Sequence, residues 1–151
     1  LGAMTTGAVL KRFPDLRVGF LEGNCGWLPW WLNRLDDQWE KYGGGETIRL
    51  DALPSDYFKR QCYIGTDVDE ELLRVVIDEI GDDNIVMSTD YPHADGPFPN
   101  GTQTFLDLPG VNLESKRKIL WDNCLHLYGL SKDNLPNPDN PDVAIHKDTT
   151  P

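Results

Sequence analysis

Residues 62–89, CYIGTDVDEELLRVVIDEIGDDNIVMST, contain two apolar segments separated by a segment with helical spacing. The segments 62–66 and 84–89 are short, largely apolar and bounded by turn residues, so they predict two buried strands. The segment between them predicts an amphipathic helix with a buried stripe of Leu72, Val75, Val76 and Ile80. A strand, a helix and a second strand form a βαβ unit, which implies parallel strands and a right-handed crossover.

The predicted helix of this unit also has start and stop signals. Asp67 precedes the predicted helix. Glu70 lies three residues after Asp67, and this spacing resembles a capping box. We therefore expect Asp67 to cap the helix. Gly81 is expected to end it, because glycine readily adopts the conformation that follows a helix.

The sequence on either side repeats the alternation of strand and helix. Residues 16–22, LRVGFLE, predict a third buried strand, and helices are expected over 6–13, 27–42, 54–61 and 112–128, the last capped by Asn112. The predicted fold class is α/β with parallel strands. Residues 1–130 are assigned to this unit, and the Pro-, Asp- and Asn-rich residues 131–151 to an irregular tail.

Composition excludes several functional classes. The 151 residues carry 14 Lys plus Arg against 25 Asp plus Glu, a formal net charge of −11. This acidity argues against binding to nucleic acids or anionic membranes, and no run approaches the ~20 apolar residues of a membrane span. The three cysteines form no CxxC pair and no disulfide framework, which is typical of a reducing, cytoplasmic compartment.

The strongest candidate for chemistry is Asp90-Tyr91-Pro92-His93, directly after a predicted strand. Ligands of parallel α/β folds bind at the carboxyl ends of the strands. There Asp90 can ligate a divalent metal or accept a proton from bound water, His93 can assist, and Tyr91 can contact the substrate. The alternative is that Asp90 caps a turn and His93 is an exposed loop residue.

A second candidate group follows the strand 16–22. Glu22 ends that strand and precedes a glycine-containing loop, and Trp27 lies beside it as a candidate substrate contact. The loop lacks the spacing of a phosphate-binding motif, so it can equally be a tight turn into the helix. Cys25 is a weak candidate nucleophile because no histidine is near it in sequence.

Four segments together resemble the C-terminal part of one amidohydrolase branch, the metal-dependent hydrolases and decarboxylases that include aminocarboxymuconate semialdehyde decarboxylase. They are VLKRFPDLRVGFLEGNCGWLPWWLNRLDDQWE (9–40), PSDYFKRQCYIGTDVDE (54–70), IGDDNIVMSTDYPHADGPFP (80–99) and KRKILWDNCLHLYGL (116–130). The resemblance covers about residues 6–130. It implies a (β/α)₈ TIM barrel, of which this chain holds about the last three strands with their helices.

The resemblance also implies roles for individual residues. Asp90 matches the metal ligand after the eighth strand, and His93 the histidine of the same motif. Glu22 stands where decarboxylases of the branch place a histidine, which weakens decarboxylation and leaves hydrolysis or hydration open. The implied cofactor is a divalent metal, with zinc expected, and the implied substrate is a small carboxylated or aromatic-derived molecule.

The family's H-x-H pair and its fifth-strand histidine have no counterpart among the three histidines present. We therefore expect this chain to be incomplete and inactive alone, and to work as a homo-oligomer or with an N-terminal barrel portion. Two alternatives stay open. The chain can be a non-catalytic half-barrel that pairs with another chain, or an aromatic-lined ligand-binding domain.

Overall fold

The computed structural model describes residues 1–45, 47, 49–94, 96–131, 133 and 135. The strands are β1 (Val18–Phe20), β2 (Cys62–Thr66) and β3 (Ile85–Met87). The helices are α1 (Gly2–Thr5), α2 (Val9–Arg12), α3 (Leu28–Tyr42), α4 (Pro54–Gln61), α5 (Leu73–Ile80), α6 (Gly101–Asp107), α7 (Leu113–Arg117) and α8 (Asn123–Tyr128). A 3₁₀ turn at Gly43–Gly45 follows α3, and a π-helical turn at Lys118–Asp122 joins α7 to α8.

The three strands form one parallel sheet in the order β1-β2-β3. Phe20 pairs with Ile64, and Ile64 pairs with Ile85 on the other side. The predicted α/β class and parallel strands are therefore confirmed. Parallel register brings the carboxyl ends of all three strands to one edge of the sheet, where the loops that follow them meet.

One face of the sheet packs against the helices and forms the core. The side chains that this face contributes are Val18, Phe20, Cys62, Ile64, Ile85 and Met87. The helices contribute, among others, Leu28, Leu32, Tyr57, Phe58, Leu73, Val76, Phe105 and Ile119. Burial of these apolar side chains supplies the main stabilisation of the fold, at roughly 25 cal/mol per Å² removed from water.

The buried stripe predicted for α5 is correct at Val76 and at Ile80, which packs partly buried against the core, and wrong at Leu72 and Val75. Leu73 and Val76 are buried, whereas Leu72 and Val75 are 50% and 43% exposed. Leu72 occupies the N-cap position, so the helix begins one residue later than that stripe requires. The predicted stripe, which includes Leu72 and Val75, and the observed one, which includes Leu73 and Val76, both fit a helical period of 3.6 residues. The position of the sheet determines which of the two is buried.

The predicted cap of α5 is also wrong. Asp67 lies six residues before the first helical residue, and the residues between form a turn with a 3.5 Å hydrogen bond from the Glu70 N–H to the Asp67 carbonyl. Asp67 instead lines the cleft described below. At the other end of α5, Gly81 has a φ of +86° and ends the helix as expected.

Two other predictions differ from the structure at the level of whole helices. Within the helix expected over 6–13, only α2 (Val9–Arg12) is helical. Ala8, with a left-handed φ of +56°, separates it from α1, which lies before the predicted range. Helix α6 was not predicted, because residues 101–107 follow a loop rich in proline and glycine. The helical segment over 113–128 is confirmed, and the Asn112 side chain accepts the predicted capping bond from the Ser115 N–H at 2.9 Å.

The irregular tail predicted for 131–151 lies almost wholly outside the described residues, which include only 131, 133 and 135 of that range. Within the described part of the chain, no helix has the length and apolar character needed to cross a membrane.

Candidate active site

An acidic residue follows each strand at the carboxyl edge of the sheet. Glu22 follows β1, Asp67 follows β2, and Asp90 follows β3. Together with His93, these side chains line a cleft of about 430 Å³. Neither lysine nor arginine is present among the described residues of its lining, so the carboxylates make the cleft attractive to cations.

Asp90 and His93 are in direct contact within the cleft. The Nδ1 atom of His93 lies 2.8 Å from Oδ1 of Asp90, and both side chains remain accessible to solvent. The same turn is closed by backbone bonds, since the His93 N–H donates to the Asp90 carbonyl at 2.9 Å. The imidazole and the carboxylate are thus within hydrogen-bond distance of each other in one closed turn.

The backbone around the cleft is strained. Glu22, Asn24 and Asp90 have φ values of +61°, +51° and +57°, and all three line the cleft. Only one further non-glycine residue in the described part of the chain has a positive φ. A left-handed conformation costs a side-chain-bearing residue about 1 kcal/mol or more, and such residues concentrate at functional sites.

A smaller recess of about 130 Å³ continues the cleft beyond Asp90. Asp67 and Asp90 line both spaces, and Ser88, Thr89, Gly96 and Pro97 complete much of the recess. The Ser88 hydroxyl oxygen accepts a 3.2 Å bond from the Asp90 N–H, which supports the left-handed turn at Asp90. The two acids therefore lie at the junction of the cleft and the recess.

Two predicted substrate contacts lie beside the cleft rather than in its lining. The indole Nε1 of Trp27 donates a 2.8 Å bond to the Gly23 carbonyl and so braces the loop that carries Glu22. Tyr91 is exposed and packs against Phe98, with 4.8 Å between the ring centroids. Of the five predicted site residues, the structure brings Glu22, Asp90 and His93 together.

Asp67 is the residue of this cleft that sequence reasoning did not assign to the site. Its position directly after β2 matches the positions of Glu22 and Asp90 after their strands, and this signal was available in the sequence. The acid was interpreted as a helix cap because a glutamate follows it at the spacing of a capping box.

Cys25 is unsuited to nucleophilic catalysis. Its thiol is fully buried, and burial, reinforced by the nearby carboxylate of Glu70, raises its pKa to about 11. A thiol with this pKa stays protonated at neutral pH, whereas the thiolate is the nucleophile. Burial raises the pKa of Cys62 to about 12 for the same reason.

The residue types that line the cleft are ones that bind divalent cations, but the described residues do not form a complete set of metal ligands. Carboxylate oxygens and imidazole nitrogens are the ordinary ligands of zinc and of manganese. Within the part of the chain that the structure describes, no three His, Cys, Asp or Glu side chains are arranged to hold a metal ion. The described residues of the cleft therefore offer carboxylate and imidazole groups but no assembled metal site.

Comparison with known proteins identifies related decarboxylases. The chain is 25% identical over 128 residues to the 2-amino-3-carboxymuconate-6-semialdehyde decarboxylase of Dictyostelium discoideum, covering 85% of this chain and 35% of that protein. It also matches the crystal structure of 5-carboxyvanillate decarboxylase from Sphingomonas paucimobilis at a TM-score of 0.69 and 26% identity, over 86% of this chain and 38% of that one.

A third similarity concerns the fold alone. The dihydroxybenzoic acid decarboxylase of Polaromonas, whose structure contains manganese and the inhibitor 2-nitroresorcinol, aligns at a TM-score of 0.70 with 23% identity. The alignment covers 90% of this chain and 41% of that protein. This chain therefore spans little more than a third of the length of the relatives it matches.

The family comparison covers most of the chain. The sequence profile described as amidohydrolase matches residues 4–130. These residues include all three strands, every helix from α3 to α8, and the four side chains of the cleft. The chain belongs to the amidohydrolase family.

Proposed function

We propose that this chain is the C-terminal portion of an amidohydrolase-type (β/α)₈ barrel and supplies one side of a metal-dependent active site. The observation that carries the proposal is the convergence of Glu22, Asp67 and Asp90 at one sheet edge, with His93 2.8 Å from Asp90. The activity proposed is decarboxylation or hydrolysis of a small carboxylated or aromatic-derived molecule. The names of the relatives, which act on carboxylated aromatic or muconate compounds, support this substrate class.

The charge of the cleft supports dependence on a cation. An anionic substrate meets three carboxylates there, and the repulsion is strong in a partly enclosed space. A divalent metal bound near Asp90 would offset this charge, and it lowers the pKa of a coordinated water or polarises the substrate. Manganese in the Polaromonas structure and the zinc expected from the sequence are both divalent, so the proposal is a divalent metal.

The residues of this chain have distinct roles in the proposal. Asp90 would hold the metal through its carboxylate. His93 keeps that carboxylate oriented and can hold or release a proton at Nδ1. In a decarboxylation the substrate loses its carboxyl group as CO₂, and the carbon left behind must receive one proton, which in this proposal comes from the Asp90–His93 pair.

Glu22 favours a second reaction type, hydrolysis or hydration. A carboxylate at this position can accept a proton from an attacking water, whereas a histidine stands there in the decarboxylases that the sequence resembles. Release of CO₂ distinguishes the first reaction, and uptake of water into the product distinguishes the second.

The test uses the longer protein that contains this segment, since the proposal places the remaining ligands outside the described residues. We expect Asp90→Asn to lower both the bound divalent metal and the turnover of a panel of carboxylated aromatic compounds by at least about 100-fold. Asp78→Asn, an exposed acid on α5, is the matched control. Unchanged metal content and turnover in Asp90→Asn would contradict the proposal, and absence of metal and turnover in the wild type would favour a non-catalytic module.

The proposal also includes a partner. The missing part of the barrel is expected to be supplied by the same polypeptide or by a second chain, and size-exclusion chromatography with light scattering separates these cases. A monomer that contains metal and is active supports the first case. An active complex of two chains supports the second.

A further inference from the structure

The loop after β1 and the turn after β2 are in unusually close contact at Gly26. A Cβ atom built on Gly26 would lie 2.6 Å from Cδ1 of Leu72 and 3.1 Å from Oε1 of Glu70. The first distance is too short for any real side chain. Glycine at position 26 therefore permits the backbone of one loop to lie directly against side chains of the other.

Glu70 makes the polar part of this contact. Its Oε1 atom lies against Gly26 of the loop after β1, and the backbone N–H groups of Leu72 and Cys25 are near enough to favour its ionised form. Burial raises the pKa of Glu70, and these two N–H groups, which stabilise the ionised form, oppose part of the rise. A carboxylate held between N–H groups of two segments ties those segments together.

Cys25 provides a second link between the same loops. Its side chain is fully buried beside that of Thr66, the last residue of β2, which is itself fully buried. The loop that contains Cys25 begins with Glu22, and Asp67 directly follows Thr66. Two acids of the cleft are thus carried by the two segments that Glu70 joins.

We propose that Glu70 is a positioning residue, which holds the loop of Glu22 against the turn of Asp67 and so sets the spacing of the carboxylates in the cleft. The inference rests on the proposed function only in taking this cleft as the active site. It gives Glu70 a role different from the helix-capping role that its sequence spacing predicts. Its acceptor oxygen is the operative group, so glutamine should replace it and alanine should not.

Glu71 provides a matched control. It is the next residue along the chain, carries the same charge and is exposed. Replacement of either glutamate by alanine changes the net charge of the protein equally. A difference between the two variants therefore reports the contacts of Glu70 rather than its charge.

The test is hydrogen–deuterium exchange of this chain, read at the backbone amides of Cys25 and Leu72, with the Trp27 indole signal followed by NMR. In Glu70→Ala we expect both amides to exchange about tenfold faster and the Trp27 signal to shift. Glu70→Gln and Glu71→Ala should stay within about threefold of the wild-type rates. Gly26→Ala keeps the carboxyl group but adds a methyl group 3.1 Å from Oε1 of Glu70 and 2.6 Å from Cδ1 of Leu72, so it should disturb the same contact and speed the exchange of the same amides.

Wild-type exchange rates in both Glu70→Ala and Gly26→Ala would overturn the proposal, as would a Glu70→Gln variant that exchanges as fast as Glu70→Ala. These measurements need neither metal nor substrate. Failure of the proposed enzymatic function would therefore leave their result unchanged, and failure of the Glu70 contact would leave the metal and turnover test of Asp90 standing.

Discussion

The Nδ1 atom of His93 lies 2.8 Å from Oδ1 of Asp90, within a turn in which Asp90 itself has a left-handed φ of +57°. The strained backbone directs the carboxylate toward the cleft, and the imidazole keeps it there. The two residues are three positions apart in sequence, so their contact depends on the conformation of one short loop. This local dependence makes His93 a sensitive point for substitution.

We expect His93→Ala to weaken divalent-metal binding by about 10- to 100-fold in the longer protein, because the carboxylate of Asp90 loses the group that orients it. The measurement is a manganese titration followed by calorimetry. His126→Ala, an exposed histidine on α8, serves as the control and should bind as the wild type does. Equal affinities in the two variants would show that His93 does not orient the ligand.

The observed phase of α5 leads to a stability prediction for two adjacent leucines. Leu73→Ala removes a fully buried side chain and should lower the free energy of unfolding by about 2–5 kcal/mol. Leu72→Ala removes a half-exposed side chain and should cost less than about 1 kcal/mol. Urea denaturation measures both. A larger loss for Leu72→Ala would support the stripe predicted from the sequence.

Asn123 connects the last helix to β3 and should contribute strongly to stability. Its buried amide donates to the carbonyls of Asp82 and Ile85, both at 2.7 Å. Asn123→Ala leaves these carbonyls without that donor, so we expect a loss of about 2 kcal/mol in urea denaturation. Asn33→Ala, on the exposed face of α3, should stay within about 0.5 kcal/mol of wild type. If Asn123→Ala also stays within about 0.5 kcal/mol of wild type, the hydrogen bonds of Asn123 do not contribute strongly to the free energy of unfolding.

The ion pair of Asp82 predicts a pH dependence of stability. Burial raises the pKa of this carboxyl, but bonds from Lys118 Nζ and the Ser115 hydroxyl, both at 2.6 Å, outweigh it and leave the pKa below its ordinary value. The folded state therefore binds the proton less tightly than the unfolded state does. The stabilisation is complete above the ordinary pKa of aspartate and is lost as the pH falls through the lower pKa of the folded protein.

We expect Lys118→Met to be less stable than wild type at neutral pH, with the difference shrinking steadily toward strongly acidic pH. Urea denaturation at a series of pH values measures it. Lys59→Met, an exposed lysine outside the Asp82 cluster, should show a small difference with little dependence on pH. If the difference in stability between Lys118→Met and wild type stays constant with pH, the Asp82–Lys118 ion pair is not the source of the pH dependence.

Much of the fold could be predicted from local sequence. The strands β1 to β3 are short apolar segments between turn residues, and α3 has Pro29 in its first turn, so each element carries its own signal. Helix α6 lacks such a signal because its residues follow a loop rich in proline and glycine. The break at Ala8 was missed because a left-handed alanine leaves no mark in composition.

The sequence by itself determined that Glu22, Asp67 and Asp90 each follow a strand, because strand ends are local features. The tertiary structure decided that these acids share one cleft, that α5 buries Leu73 rather than Leu72, and that Glu70 faces Cys25 instead of capping a helix. The physical reason is that periodicity is a property of neighbouring residues. Which face is buried, and which groups meet, depends on elements that are distant in sequence and are brought together by packing of the parallel sheet.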